Sequence, residues 1–105
     1  MNLNAAILGY GAYVPFYRIR TEEIARVWHG GGAGQHRMKA VASYDEDILT
    51  MSYESASQAL SMANYPKIQA ILVGSESKPY AVKPTGSILS DILGYNSTLG
   101  VDLEF

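Results

Sequence analysis

One carboxylate, Glu76, stands where an α/β protein would carry a catalytic acid or base. It follows the apolar run 70–73 and the glycine Gly74, a pattern that predicts a buried strand ending in a polar turn. In open α/β sheets the working side chains sit just beyond the carboxyl ends of the strands, where the strand fixes the backbone and the loop frees the side chain. Glu76 fits that position, although charged turns also follow strands in proteins without any site there.

Other motifs that could form a binding or metal site match their patterns less well. The pair Gly9 and Gly11 lacks the third glycine of a dinucleotide-binding loop, and Pro15 follows where a helix would open. The glycine-rich loop 29–36 has no Lys-Ser/Thr pair of a phosphate loop, and its two histidines lack a third metal ligand. The acidic triplet 45–47 reads as the start of a helix. No metal site is therefore expected.

The elements that must position Glu76 alternate between strands and helices. Hydrophobic periodicity and breaker residues predict a first strand over 3–14, a linker over 16–20, a helix from Thr21 to Trp28, a short edge strand over 38–42, a helix over 48–63 with a capping box at Ser43 and Glu46, a strand over 70–73, a helix that opens at Pro84 and stops at Gly94, and a strand over 98–105. Helical crossovers demand parallel neighbours, so the expected class is α/β with a mostly parallel sheet covered by helices.

Composition excludes several function classes. The 105 residues make one domain or less, with 48% hydrophobic residues, 17% charged residues and a net charge of -2. Scattered cations give no surface for nucleic acid, and no apolar run reaches the ~20 residues of a membrane span. The start of the chain has no signal-peptide pattern, so a cytoplasmic location is expected. The chain has no cysteine and hence no thiol nucleophile of its own.

The segment 73–86, Val-Gly-Ser-Glu-Ser-Lys-Pro-Tyr-Ala-Val-Lys-Pro-Thr-Gly, resembles the corresponding segment of archaeal-type hydroxymethylglutaryl-CoA (HMG-CoA) synthases, members of the thiolase-fold superfamily. Stretches within 9–28, at 45–47 and at 102–105 also resemble segments of this family, and they occur in the family's order. The resemblance covers nearly the whole chain, but only the N-terminal part of a family member, whose chains are several-fold longer. It implies that residues 1–105 are a partial N-terminal thiolase-like domain, from the first βαβ half of the fold.

The resemblance also implies a reaction and a site. An acetylated cysteine supplies acetyl, a base makes a carbanion from its methyl group, and the carbanion attacks acetoacetyl-CoA to give HMG-CoA for the mevalonate pathway of isoprenoid synthesis. The family's base, a glutamate, maps onto Glu76. Burial in a dry pocket would raise its basicity. Ser75 and Ser77 would orient it or bind substrate, with plain turn hydroxyls as the alternative. Arg18, with Arg20, could hold a CoA phosphate. The alternative is that the two arginines are a solvated pair on a turn.

The family's cysteine follows almost directly after the segment that matches 102–105. The chain is therefore expected to be a truncated or partial acyltransferase, inactive alone and without a cofactor beyond its two CoA substrates. Implied partners are a second copy in a homodimer, acetoacetyl-CoA thiolase and a small bridging acyl-CoA-binding protein. The loop 30–34 is shorter than in the family, which leaves the CoA contacts open. The alternatives are a 3-oxoacyl-carrier-protein synthase III-like condensing enzyme and a non-catalytic acyl-CoA-binding or interaction module.

Overall fold

The structure is a computed structural model that describes residues 4–29 and 37–104. The glycine-rich loop 30–34, His36 and Phe105 lie outside the described residues. The elements are β1 (Tyr17–Arg20), α1 (Thr21–Trp28), β2 (Met38–Val41), α2 (Ile48–Met62), β3 (Ala70–Gly74), α3 (Thr85–Ile92) and β4 (Leu99–Leu103). They form two compact units: a smaller unit of residues 14–46, and a larger unit of the described residues before and after it.

The larger unit is built on a parallel pair of strands joined by a helix. β3 pairs with β4 so that Ala70 lies opposite Leu99 and Gly74 opposite Leu103. α3 makes the connection between them and packs on both strands, and α2 packs on α3. Pro84 precedes the first residue of α3, and Gly94, with φ of 84°, follows its end. This β–α–β unit confirms the prediction for residues 70–103.

Two glycines let α3 lie directly on the backbone of β4. A Cβ added at Gly100 would be 2.4 Å from the carbonyl carbon of Gly86, and a Cβ added at Gly86 would be 2.7 Å from the amide nitrogen of Val101. Both distances are shorter than real side chains tolerate, so only glycine fits at either position. The first turn of α3 is consequently buried, and Thr85 has no exposed surface.

The expected first strand is wrong for its described part, because residues 4–14 form no strand. Gly9 and Gly11 lie against the backbone of α2 instead: an added Cβ would be 2.3 Å from the carbonyl oxygen of Ala59 and 2.1 Å from that of Ser55, respectively. The amide of Ala12 donates to the Gln58 side chain at 3.3 Å. The segment therefore packs on a helix, which its alternating apolar residues did not reveal.

The smaller unit corrects a second prediction. Residues 16–20 were expected to be a linker, but Tyr17–Arg20 form β1, which pairs with β2 in antiparallel register. The expectation of parallel neighbours therefore holds for β3 and β4 and is wrong here. The edge strand over 38–42 is confirmed as β2.

The caps at the starts of α1 and α2 differ from those expected. α1 begins at Thr21 as predicted, but the Thr21 hydroxyl donates to the carbonyl of Arg37 at 3.1 Å and does not cap the helix. α2 is capped by Asp47, whose carboxylate accepts from the Thr50 amide while the Thr50 hydroxyl accepts from the Asp47 amide, each at 2.9 Å. In the turn before the helix, the Ser43 amide donates to the Glu46 carboxylate at 2.9 Å, but the Glu46 amide donates to the backbone carbonyl of Ser43 at 3.2 Å, so the expected box is only half formed. The helix thus uses the second of two overlapping capping patterns.

Little apolar surface is covered within the described residues. Val73 and Leu89 are the only buried hydrophobic side chains among them, and Leu72 in β3 is 63% exposed, so the strand is buried less than its sequence predicts. Many large apolar side chains in both units are exposed. Surfaces of this kind mark faces that another protein segment or ligand covers. In residues 4–29 and 37–104, no helix has the length and apolar character needed to span a membrane.

Candidate active site around Glu76

Glu76 lies just past the carboxyl end of β3, as the sequence predicts. The amide of the preceding Ser75 still donates to the Leu103 carbonyl of β4 at 3.0 Å, which extends the strand pairing by one residue. The chain then leaves the sheet at a bend, and Glu76 is exposed there. The strand pair therefore fixes the backbone up to the residue before the carboxylate, and the turn presents the carboxylate to its surroundings.

Ser75 and Ser77 are brought together on either side of Glu76. The Ser77 amide donates to the Ser75 hydroxyl at 3.1 Å, and the two hydroxyl oxygens are 3.5 Å apart. This bond closes a small turn, in the way serine side chains often do. In the part of the chain that the structure describes, no residue donates a hydrogen bond to the Glu76 carboxylate. The serines therefore contact each other and not the Glu76 carboxylate.

The covered, dry environment expected for Glu76 is not supplied by the described residues, which leave this side chain exposed. An exposed carboxylate is well hydrated. To work as a base on a weakly acidic carbon, it needs a covering surface that removes water. Residues 4–29 and 37–104 do not form such a surface over Glu76.

Next to Glu76 is an ion cluster that we call the Lys78 cluster: Lys78, Asp102 and Glu104. The Lys78 ammonium contacts the Glu104 carboxylate and lies 3.8 Å from that of Asp102. Its hydrogen bond to Glu104 is the largest influence on Lys78 and, against the opposing effect of desolvation, raises the pKa of this ammonium. Lys78 therefore ties the segment that carries Glu76 to the end of β4.

Asp102 also caps α3. Its two carboxylate oxygens accept from the amides of Thr85 and Gly86, each at 2.8 Å. Pro84, at the N-cap position, offers no side-chain bond of its own. Partial burial acts to raise the pKa of Asp102, but the bonds from Gly86 and Thr85, together with Lys78, outweigh it and hold the pKa below its usual value. The carboxylate is thus stabilised as an anion at the positive end of the helix.

Sequence reasoning did not single out this role of Asp102. One signal was available in the sequence: a lone aspartate in the apolar strand 99–103. In the structure, Asp102 lies opposite Val73, and the Asp102 side chain is only 10% exposed. A charge that is nearly buried needs partners, and the free amides at the start of the following or preceding helix are the nearest candidates.

Arg18 lies in β1 of the smaller unit and is exposed on that strand. Its guanidinium donates to neighbouring backbone carbonyls, those of Pro15, Phe16 at 3.1 Å and Tyr17 at 3.0 Å. These bonds fix the side chain against its own strand, and its expected contact with a CoA phosphate stays a prediction. Across residues 4–29 and 37–104, no three His, Cys, Asp or Glu side chains are grouped closely enough to hold a metal ion.

Comparison with solved structures shows a thiolase-like condensing-enzyme fold. A priming β-ketosynthase from the R1128 polyketide pathway matches with a TM-score of 0.79 and 23% identity, over 94% of this chain and 32% of its own. The 3-oxoacyl-carrier-protein synthase III of Aquifex aeolicus matches with a TM-score of 0.78 and 19% identity, over 94% of this chain and 34% of its own. At such identities the likeness establishes the fold and no activity.

Curated relatives with much higher sequence identity are named hydroxymethylglutaryl-CoA synthase. Hydroxymethylglutaryl-CoA synthase of Thermococcus gammatolerans is 51% identical over 94% of this chain, and that of Pyrococcus furiosus is 49% identical over 97%. The chain spans 29% and 30% of their lengths, respectively. No family model matches the chain. The chain is therefore similar, over almost all of its residues, to a segment of the HMG-CoA synthases, which confirms the resemblance seen in its sequence.

Proposed function

We propose that this chain is the N-terminal part of an HMG-CoA synthase, an acyltransferase that condenses acetyl-CoA with acetoacetyl-CoA, and that Glu76 is its general acid/base. The observation that carries the proposal is the 51% identity to a named synthase over 94% of the chain. Identity to the ketosynthases of the same fold is far lower, at 19–23%. The position of Glu76 after β3 supports its role.

In the proposed reaction, an acetyl group is held as a thioester on a cysteine from outside these 105 residues, which contain none. The Glu76 carboxylate takes a proton from the acetyl methyl group, and the resulting carbanion forms a carbon–carbon bond to the ketone carbon of acetoacetyl-CoA. The ketone oxygen takes up a proton, and water then cleaves the enzyme thioester. The Ser75–Ser77 turn would hold the backbone of Glu76 during these steps, and Arg18 of the smaller unit would contact the CoA phosphates.

The same proposal includes a setting for the enzyme. Its product would enter the mevalonate pathway of isoprenoid synthesis in the cytoplasm, and the working form would be a homodimer of an archaeal-type enzyme. Acetoacetyl-CoA thiolase and a small bridging acyl-CoA-binding protein are proposed partners. The exposed apolar side chains of the described residues support the need for covering surfaces.

A segment exchange tests the proposal. This chain replaces the 105 matched residues of the Pyrococcus furiosus synthase, and HMG-CoA formation is measured from acetyl-CoA and acetoacetyl-CoA. We call this protein the segment-exchanged synthase. We expect it to be active, and we expect Glu76→Gln to lower the rate by about 10²-fold or more, the usual cost of losing a general base.

The matched control is Glu54→Gln, the same change at an exposed position on α2, which should stay within about twofold of the parent. If Glu76→Gln keeps the rate within about tenfold of the parent, Glu76 is not the base. A second exchange, limited to residues 1–13 and 47–105, replaces the larger unit alone. If both exchanged proteins fold but neither forms HMG-CoA, the proposed function is wrong.

The competing function is a 3-oxoacyl-carrier-protein synthase III-like condensation, which the shared fold favours. It predicts turnover with a malonyl-carrier-protein acceptor in place of acetoacetyl-CoA. Testing both acceptors with the segment-exchanged synthase distinguishes the two functions, because only one of them should give product.

A further inference from the structure

We infer that Asp102 is a positioning residue for Glu76: one carboxylate on β4 fixes both the start and the end of the segment that connects β3 to α3. The inference rests on the proposed function of Glu76. It adds a residue that takes no part in the chemistry but determines where the base stands.

The start of the segment is fixed through Lys78, two residues after Glu76. The Lys78 ammonium lies between the Asp102 and Glu104 carboxylates, and its side chain is 22% exposed. Glu104 is 46% exposed, so solvent weakens its contact, whereas Asp102 is 10% exposed. Interactions of less exposed charges are screened less by water and salt. Glu104 makes the closer contact, and Asp102 adds the less screened of the two charges that hold the chain just after Glu76.

The end of the segment is fixed through α3. The Asp102 carboxylate accepts from the amides of Thr85 and Gly86 at 2.8 Å each. Gly86 in turn lies against Gly100 of β4 without room for a methyl group. The helix therefore cannot slide along the strand, and the geometry at its first turn depends on a carboxylate that reaches both amides.

Only a carboxylate meets all three demands. It offers two oxygens to two amide donors and a negative charge to the ammonium, and charge-assisted bonds of this kind are stronger than neutral ones. An asparagine at this position has one acceptor oxygen, and its NH2 group would face either a backbone amide or Lys78, donor against donor. Asp102→Asn, although nearly the same size, should therefore release the α3 end of the segment and weaken the hold on its Lys78 end, where Glu104 remains.

The test compares Asp102→Asn with Asp91→Asn in the segment-exchanged synthase. Asp91 is exposed near the other end of α3, so it controls for the loss of one charge on the same unit. We expect Asp102→Asn to lower kcat by about 10- to 100-fold, because a displacement of about 1 Å at a reacting group has costs of this size. KM for acetoacetyl-CoA should stay within about threefold, since Glu76 acts after binding. Asp91→Asn should change neither.

Combining each change with Glu76→Gln separates positioning from general destabilisation. If Asp102 acts through Glu76, Asp102→Asn lowers the residual rate of the Glu76→Gln enzyme by less than about threefold, because the group that it positions is already absent. An equal loss in both backgrounds would overturn the inference, as would a kcat for Asp102→Asn within about threefold of the parent.

Hydrogen exchange gives a readout that is independent of activity. Peptides covering residues 75–86 should exchange faster in Asp102→Asn, because the Thr85 and Gly86 amides lose their acceptor. Their exchange should be unchanged in Asp91→Asn. The two hypotheses fail separately. If Glu76→Gln leaves the rate intact, the proposed role of Glu76 as the base is wrong. If hydrogen exchange is unchanged in Asp102→Asn, Asp102 does not hold the segment. Should Asp102→Asn fail to fold, Lys78→Met, which keeps the α3 cap, takes its place with the same criteria and an expected loss of about 3- to 10-fold.

Discussion

Replacing Gly100 by alanine should push α3 away from β4. The added Cβ would lie 2.4 Å from the carbonyl carbon of Gly86 and from the amide nitrogen of Ser87, and 2.5 Å from the Gly86 carbonyl oxygen. All three atoms are backbone, so no side chain can rotate to make room. Non-bonded heavy atoms are most stable about 3.5–4.0 Å apart. The first turn of α3 must therefore move by roughly 1 Å.

The cost follows from what that turn contributes. Overpacking a close contact of this kind usually costs about 1–3 kcal/mol. Thr85 and Gly86 donate to Asp102 from the same turn, so moving it also lengthens two charge-assisted bonds, which favours the upper end of that range. For a domain of about 100 residues, the melting temperature should fall by roughly 5–20 °C.

Urea denaturation followed by far-UV circular dichroism measures this effect. Gly74→Ala is the matched control, because Gly74 lies in the neighbouring strand and an added Cβ there meets no atom within 4 Å. Its free energy of unfolding should stay within about 0.5 kcal/mol of the parent. If Gly100→Ala and Gly74→Ala unfold at the same urea concentration, then α3 does not pack on the β4 backbone as described, and the reasoning on Asp102 loses its geometric basis.

Three further predictions concern the same contacts and their surroundings. Because the folded protein holds the pKa of Asp102 below its ordinary 3.8 and that of Lys78 above its ordinary 10.5, their contribution to stability is complete between those values. It is lost as the pH falls through the folded pKa of Asp102 or rises through that of Lys78. Urea midpoints against pH should show both losses, and an acid loss of the same size in Asp102→Asn would contradict the first assignment. Asp47→Ala, which removes the α2 cap, should lower the free energy of unfolding by about 1 kcal/mol, whereas Asp45→Ala at an exposed site outside the helix should change it by less than about 0.5 kcal/mol; equal urea midpoints would refute the cap. The exposed apolar side chains predict that the isolated chain associates, so light scattering should give an apparent mass that rises with concentration, and a monomer at every concentration would be the contrary result.

The order β3, α3, β4 could be predicted from the sequence because its signals are local. An apolar run, the proline before α3 and the glycine after it each restrict the backbone within a few residues of themselves. The position of Glu76 follows from the same signals, since it depends only on where the strand ends. What covers Glu76 depends on distant parts of a protein and leaves no mark near residue 76.

The errors arose where the deciding contact is distant along the chain. Residues 4–14 carry apolar residues suited to a strand, but Gly9 and Gly11 allow this segment to lie on the backbone of α2, more than 40 residues later. β1 reads as a polar linker because two of its four residues are arginines, and only its pairing with β2 makes it a strand. Periodicity reports which face of an element is apolar and does not identify its partner.

The three carboxylates also show the difference between local sequence signals and contacts that only the fold creates. Glu76, Asp102 and Glu104 all lie near the carboxyl ends of β3 and β4, which meet at one edge because the strands are parallel. The sequence singled out Glu76 by its place after β3 and assigned no role to Asp102 or Glu104. In the described residues, Asp102 and Glu104 are paired with Lys78, and Asp102 also binds two amides, whereas Glu76 receives no hydrogen bond. The contacts therefore engage Asp102 and Glu104 in holding the segment, and no described residue binds the Glu76 side chain.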